Sequence, residues 1–135
     1  MWESTRIQTA LLADSSVTSL LSTFVDSNTV TQYAIFNDSV MPKWATELSL
    51  PNTINYYRIG SVDGGLEYGD VRYSISCRGD ELQDAEDIQY AVYTALNRHL
   101  SSLTGFFICT ALPTISPKDS TDNYNAPIEV RIKTK

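Results

Sequence analysis

Between Ile54 and His99 the chain passes from an apolar stretch through a glycine-broken connection into a strict alternation, and from there into an acid-started amphipathic run. Few folds accept that order. Residues 53–59 are rich in β-formers, and residues 71–78 place Val71, Tyr73, Ile75 and Cys77 on one side of an extended chain with Arg72, Ser74, Ser76 and Arg78 on the other. The alternation predicts a strand with one core face and one wet face. Gly60, Asp63, Gly64, Gly65 and Gly69 tolerate positive φ and suit a long hairpin connection between the two strands. Leu82, Ala85, Ile88, Val92, Ala95, Leu96, His99, Leu100 and Leu103 then recur as one apolar stripe, which predicts a helix capped by Asp80 with Gln83 reaching back and stopped at Gly105. Its charges agree with the helix dipole: Asp80, Glu81, Asp84, Glu86 and Asp87 lie near the start, and Arg98 and His99 near the end.

The flanking segments complete the pattern. Ile7, Ala10 and Leu11, then Val17, Leu20, Leu21 and Phe24, recur at helical spacing, with Asp14, Ser15 and Ser16 interrupting as capping residues, so a helix, a break and a second short helix are expected. Residues 30–36 read as a strand, and residues 31–50, which hold Met41, Pro42 and Trp44, as a long loop or arm. Residues 106–112 form an apolar strand, and Ile128, Val130 and Ile132 alternate with Glu129, Arg131 and Lys133 in a closing strand. Residues 113–127 between them are polar, bounded by proline and long for a plain connection. The expected fold is α+β, one domain over residues 1–135, with a mainly antiparallel sheet, helices packed on one face, and long hairpin and loop extensions.

A chain of 135 residues removes about two-thirds of its unfolded surface from water, and 42% hydrophobic with 19% charged residues is ordinary for a globular protein. Ten basic against sixteen acidic side chains, a net charge of -6, oppose stable wrapping of phosphate backbones, which depends on Lys and Arg displacing counterions. Residues 1–6 lack a basic segment leading into an apolar one, and nowhere do 18 apolar residues run together, so neither secretion nor membrane spanning is expected and a cytosolic setting is. Cys77 and Cys109 fall far apart within expected strands, without CxxC spacing, and read as buried small hydrophobes rather than a disulfide or ligand pair.

Candidate chemistry is sparse. His99 sits by the apolar stripe with no nucleophile tied to it by a motif, so it reads as a structural or helix-end histidine. The acids Asp80 to Asp87 turn around a helix instead of converging, and Asp119, Asp122 and Asn123 lack the glycine and terminal glutamate of a calcium loop. The glycines of residues 60–69 match neither GxGxxG nor GxxxxGK[ST]. No catalytic residue, metal ligand or cofactor is expected. The eight tyrosines, among them Tyr56, Tyr57, Tyr68, Tyr73, Tyr90, Tyr93 and Tyr124, join Trp2 and Trp44 as interface candidates, because such rings offer rigid area with a polar tip; interleaved basic residues for base stacking are lacking.

From end to end the chain resembles the tail terminator or tail-completion proteins of long-tailed bacteriophages, components of the neck region. The resemblance is carried by the helical residues 7–21, the strand Asn55-Tyr56-Tyr57-Arg58-Ile59, the strand over residues 71–77, the helix from Ala85-Glu86-Asp87-Ile88 through Ala95-Leu96, and the closing Ile128-Glu129-Val130-Arg131-Ile132. It implies a non-enzymatic virion protein, assembled in the host cytoplasm, whose six-membered ring caps the tail tube, ends its polymerisation and joins it to the head-side connector or stopper protein. It further implies DNA passing through the lumen without specific binding, and no membrane partner. Under it, residues 60–70, 113–127 and 31–50 are expected to touch neighbours or tube, with Trp44, Gly64, Gly65, Tyr68, Asp122 and Tyr124 as interface residues. A head-completion stopper or minor tail adaptor is the nearest rival reading; a small hydrolase and a monomeric ligand-binding domain are more distant ones.

Overall fold

The computed structural model describes residues 2–38, 48, 50–63, 69–97, 100–101, 105–116 and 123–134. Two helices open the chain, α1 (Trp2–Leu12) and α2 (Ser15–Thr18), separated where Asp14 turns extended and its carboxylate accepts the Ser16 amide at 2.9 Å. The interruption expected at Asp14 is therefore a true N-cap. The second helix is shorter than its apolar spacing suggests, and Phe24 stands in a strand, β1 (Thr23–Val25), paired antiparallel with β2 (Thr31–Tyr33). Turn chemistry overrides helical spacing here. Asp26 accepts the amides of Asn28 and Val30, its backbone pairs with Val30, and Thr29 takes φ 61°. The strand expected over residues 30–36 is thus divided at Ala34, with β3 (Ile35–Phe36) belonging to a different sheet.

That main sheet has the order β3-β4-β5-β8-β7-β6, formed with β4 (Thr53–Asp63), β5 (Gly69–Gly79), β6 (Leu100–Ser101), β7 (Gly105–Ala111) and β8 (Tyr124–Thr134). Only the β3–β4 pairing is parallel; the rest is antiparallel, as the alternation requires. β4 and β5 stay in register to the Asp63–Gly69 pair, with a bulge between Arg58 and Gly60, so the hairpin strands reach further than the apolar residues alone indicate.

Register sorts the side chains into two faces. Ile54, Tyr56, Val71, Tyr73, Ile75, Cys77, Cys109, Ala126, Ile128, Val130 and Ile132 share the face that meets the helices, and all are buried. Against them lie Ile7 and Leu11 of α1, Val17 of α2, and Ala85, Ile88, Ala91, Val92 and Leu96 of α3 (Leu82–Leu96). The fold is α+β with its helices on one side of a mainly antiparallel sheet. Burying these side chains supplies the main driving force, about 1.5–3 kcal/mol for each large one.

The helix differs from its sequence reading at both ends. Glu81, not Asp80, occupies the N-cap without a side-chain capping bond, and Gln83 donates to Asp87 at 2.7 Å instead of reaching back. The helix stops at Leu96 and does not run to 103: Asn97 turns extended, its amide donating to the Tyr93 hydroxyl and its oxygen accepting the Cys109 amide at 3.1 Å. Leu100 consequently lies in a strand, and Gly105 opens β7 instead of ending the helix. Gln89 secures the other flank, its amide donating to the carbonyls of Leu112 and Pro127, both at 2.9 Å.

The second sheet face is not uniformly wet. Ser76 is buried, as are its register neighbours Asn55 and Pro127, while Arg72, Ser74, Glu129 and Arg131 at the other end are half-buried or exposed. A small apolar cluster of Ala34 and Phe36, with Phe24 and Leu50 packed against it, lies at the β3 side; the Phe24 and Phe36 rings stack at 5.8 Å. Alternation reports the polarity of a face and is silent on what crosses it.

Candidate interaction surfaces

Of the six residues expected at an interface, Trp44, Gly64, Gly65, Tyr68 and Asp122 lie outside the described residues. Tyr124 opens β8 opposite Gly79, half-buried against the main core. His99 also lies outside the described residues. Of the expected arm, residues 31–38 supply β2 and β3; of the expected loop, Ile115 pairs with Asn125, which shortens the connection before β8. Asn123 ties that approach to the chain before β4 by donating to the Pro51 carbonyl at 2.9 Å.

Both cysteines are withdrawn from thiolate chemistry. Cys77 and Cys109 are free thiols buried in the sheet, and burial pushes the Cys77 thiol well up and that of Cys109 up to about 12, so both stay protonated. Tyr56 is likewise raised to about 12, by desolvation and then by the neighbouring Tyr73, and its hydroxyl donates to Gln8 of α1 at 3.2 Å. The carboxylate of Asp26 is held below its ordinary range by the Val30 amide first and the Gln32 side chain second, which assigns it to the hairpin turn. Among the described residues, no three His, Cys, Asp or Glu side chains are grouped to hold a metal ion. No helix of the described residues is long and apolar enough to cross a membrane.

Two kinds of surface remain. A groove of about 260 Å³ runs between α1 and the β1–β2 hairpin, lined by Leu12, Phe24, Tyr33, Ile35 and Phe36 with Gln8, Asp26 and Gln32. Val25, Val30 and Tyr33 of the same hairpin are exposed. The outer side of α3 forms the other surface. Gln83, Glu86, Asp87, Tyr90 and Thr94 are all exposed there, with Tyr90 at 73%. Sequence reading counts Tyr90 among the interface tyrosines, since it falls off the apolar stripe; the hairpin groove leaves no comparable trace, because β1 hides within helical spacing.

No protein-family model matches the chain, and no curated protein matches it in sequence. Among solved structures the chain is similar to one from the virion of a native gene transfer agent particle, at 16% identity and a TM-score of 0.57, over 95% of this chain and 90% of that one. At such identity the likeness is one of fold alone.

Proposed function

We propose that the chain is a structural virion protein of the tail terminator or tail-completion kind. It forms a six-membered ring that caps the tail tube, ends its polymerisation and meets the head-side connector, with DNA passing through the lumen. The observation that carries this reading is the fold shared over nearly the full length of both chains with a component of a virion particle. The chemistry is consistent with it: the buried neutral thiols and the turn-bound Asp26 carboxylate offer no nucleophile, and the exposed apolar side chains of the hairpin and α3 suit contacts between proteins. A closed ring needs two different complementary patches on each copy, plus surfaces for its axial neighbours.

Negative-stain microscopy of the purified protein mixed with purified tail tubes tests the reading, with head-connector complexes as a parallel arm. The expected result is a ring at one end of each tube and no further growth when tube subunits are added. Binding to connectors with bare tube ends would assign the chain to the stopper or adaptor role instead. A protein that binds neither is not a neck component.

A further inference from the structure

The described charges of α3 and of the far sheet face differ in sign. From Asp80 to Asn97 the chain carries Asp80, Glu81, Asp84, Glu86 and Asp87 and no lysine or arginine. Gln83, Glu86, Asp87, Tyr90 and Thr94 follow the spacing of one helical face, and all five are exposed, so the stripe looks away from the sheet. Tyr90 stands in its middle as a nearly bare aromatic ring, one turn from two carboxylates.

The far side of the sheet has the opposite sign. Arg72 of β5 and Arg131 of β8 stand directly across from one another, Arg78 shares their face, and Glu129 is the one carboxylate there among the described side chains. Glu129 is engaged by Arg72, whose Nε donates to it at 2.9 Å. Two arginines against one carboxylate leave the described charges at this end of the face net positive, which complements an anionic surface. Tyr57, Ser74, Ile108 and Thr110 beside the arginines are half-buried or exposed, which leaves apolar and hydrogen-bonding area for a ring to rest on.

We propose that these two surfaces are one interface: the acidic α3 stripe of one copy seats on the arginine-bearing sheet face of a second copy, with Tyr90 as its anchor. The occupant is another copy because one chain carries both complementary charges, on opposite layers. Such a contact is heterologous and repeats in one direction, as a ring demands. The inference rests on the ring reading above and specifies which faces build it. Tyr90 supplies rigid area and a π-face for the arginines, with Glu86 and Asp87 as the charged rim.

The variants Thr94→Cys and Thr110→Cys, each adding one exposed thiol on one of the two surfaces, test it with a short bis-maleimide, because the native thiols are buried and protonated. The expected result is a cross-linked dimer only when the two variants are mixed, and a ladder when both changes share one chain. Tyr90→Ala should weaken association about tenfold or more. Glu86→Arg or Arg131→Glu alone should abolish the mixed dimer, and combining the two variants should restore it. Dimers from either single variant alone would mean a two-fold contact and overturn the proposal, as would no cross-link in any arm. Rings seen on tube ends without the mixed cross-link would defeat this interface and leave the terminator reading standing. Cross-linked rings that ignore tail tubes would do the reverse.

Discussion

Thr29 holds a backbone conformation that β-branched side chains rarely take, φ 61° at the turn joining β1 and β2. Left-handed backbone costs an L-residue about 1–2 kcal/mol, part of which glycine returns through a freer unfolded chain. Thr29→Gly should therefore stabilise the protein by about 0.5–1 kcal/mol, read as a rise of about 2 °C in Tm. The thiols give a second expectation. Folding holds the Cys77 and Cys109 protons that the unfolded chain releases near pH 8.5, so the unfolded state binds fewer protons above that pH and stability falls as pH rises. Urea unfolding between pH 7 and 10 should show midpoints constant to about 8 and then falling, with a limiting slope of about 1.4 kcal/mol per pH unit for each thiol. Replacing both cysteines by alanine should flatten the profile. That these cysteines are buried is legible in the sequence, since Cys77 occupies an inward position of an alternating strand and Cys109 lies within an apolar one. The strain at Thr29 is not, because threonine is an unexpected choice for that conformation.

At the scale of elements, the junction of β5 with α3 is closely packed. A Cβ at Gly79 would overlap the Ala85 backbone nitrogen and lie 2.8 Å from the Asp84 Cβ, so the first turn of the helix is seated directly on the strand end. Gly79→Ala should force these apart at a cost of about 1–3 kcal/mol, measurable as a lower urea midpoint with unchanged slope. Elements whose order follows from their own side chains are legible from sequence: the alternation of residues 71–78, the stripe from Ala85 to Leu96, and the closing Ile128, Val130 and Ile132 all fall where their periodicity places them. The helix end is not legible, because Leu100 and Leu103 continue the helical spacing by coincidence while the stop depends on Asn97 meeting the Cys109 amide, a partner 12 residues away. The β1–β2 hairpin is misread for the same kind of reason. Phe24 fits a helical stripe, yet its ring is taken by Phe36 across the turn that Asp26 organises.

At the scale of the whole molecule, the described side chains are acidic along α3 and net basic on the far sheet face, and the proposed association should respond to salt accordingly. Screening acts over about 8–10 Å near physiological ionic strength, so self-association followed by sedimentation should weaken steadily as salt is raised from 0.05 to 0.5 M. This polarity is only half visible in the sequence. The acids cluster within one helix and can be read off, whereas Arg72 and Arg131 become neighbours only when β5 and β8 pair. Among the described residues, both margins of the main sheet are strands of two residues, β3 and β6. β3 pairs with β4 only at Ile54 and Asn55, so among the described residues the outer side of β4 from Tyr56 to Asp63 meets no further strand and is open main chain. A molecule whose proposed task is to halt the growth of a polymer thus carries a margin on which an extended segment of a neighbouring protein can add a strand.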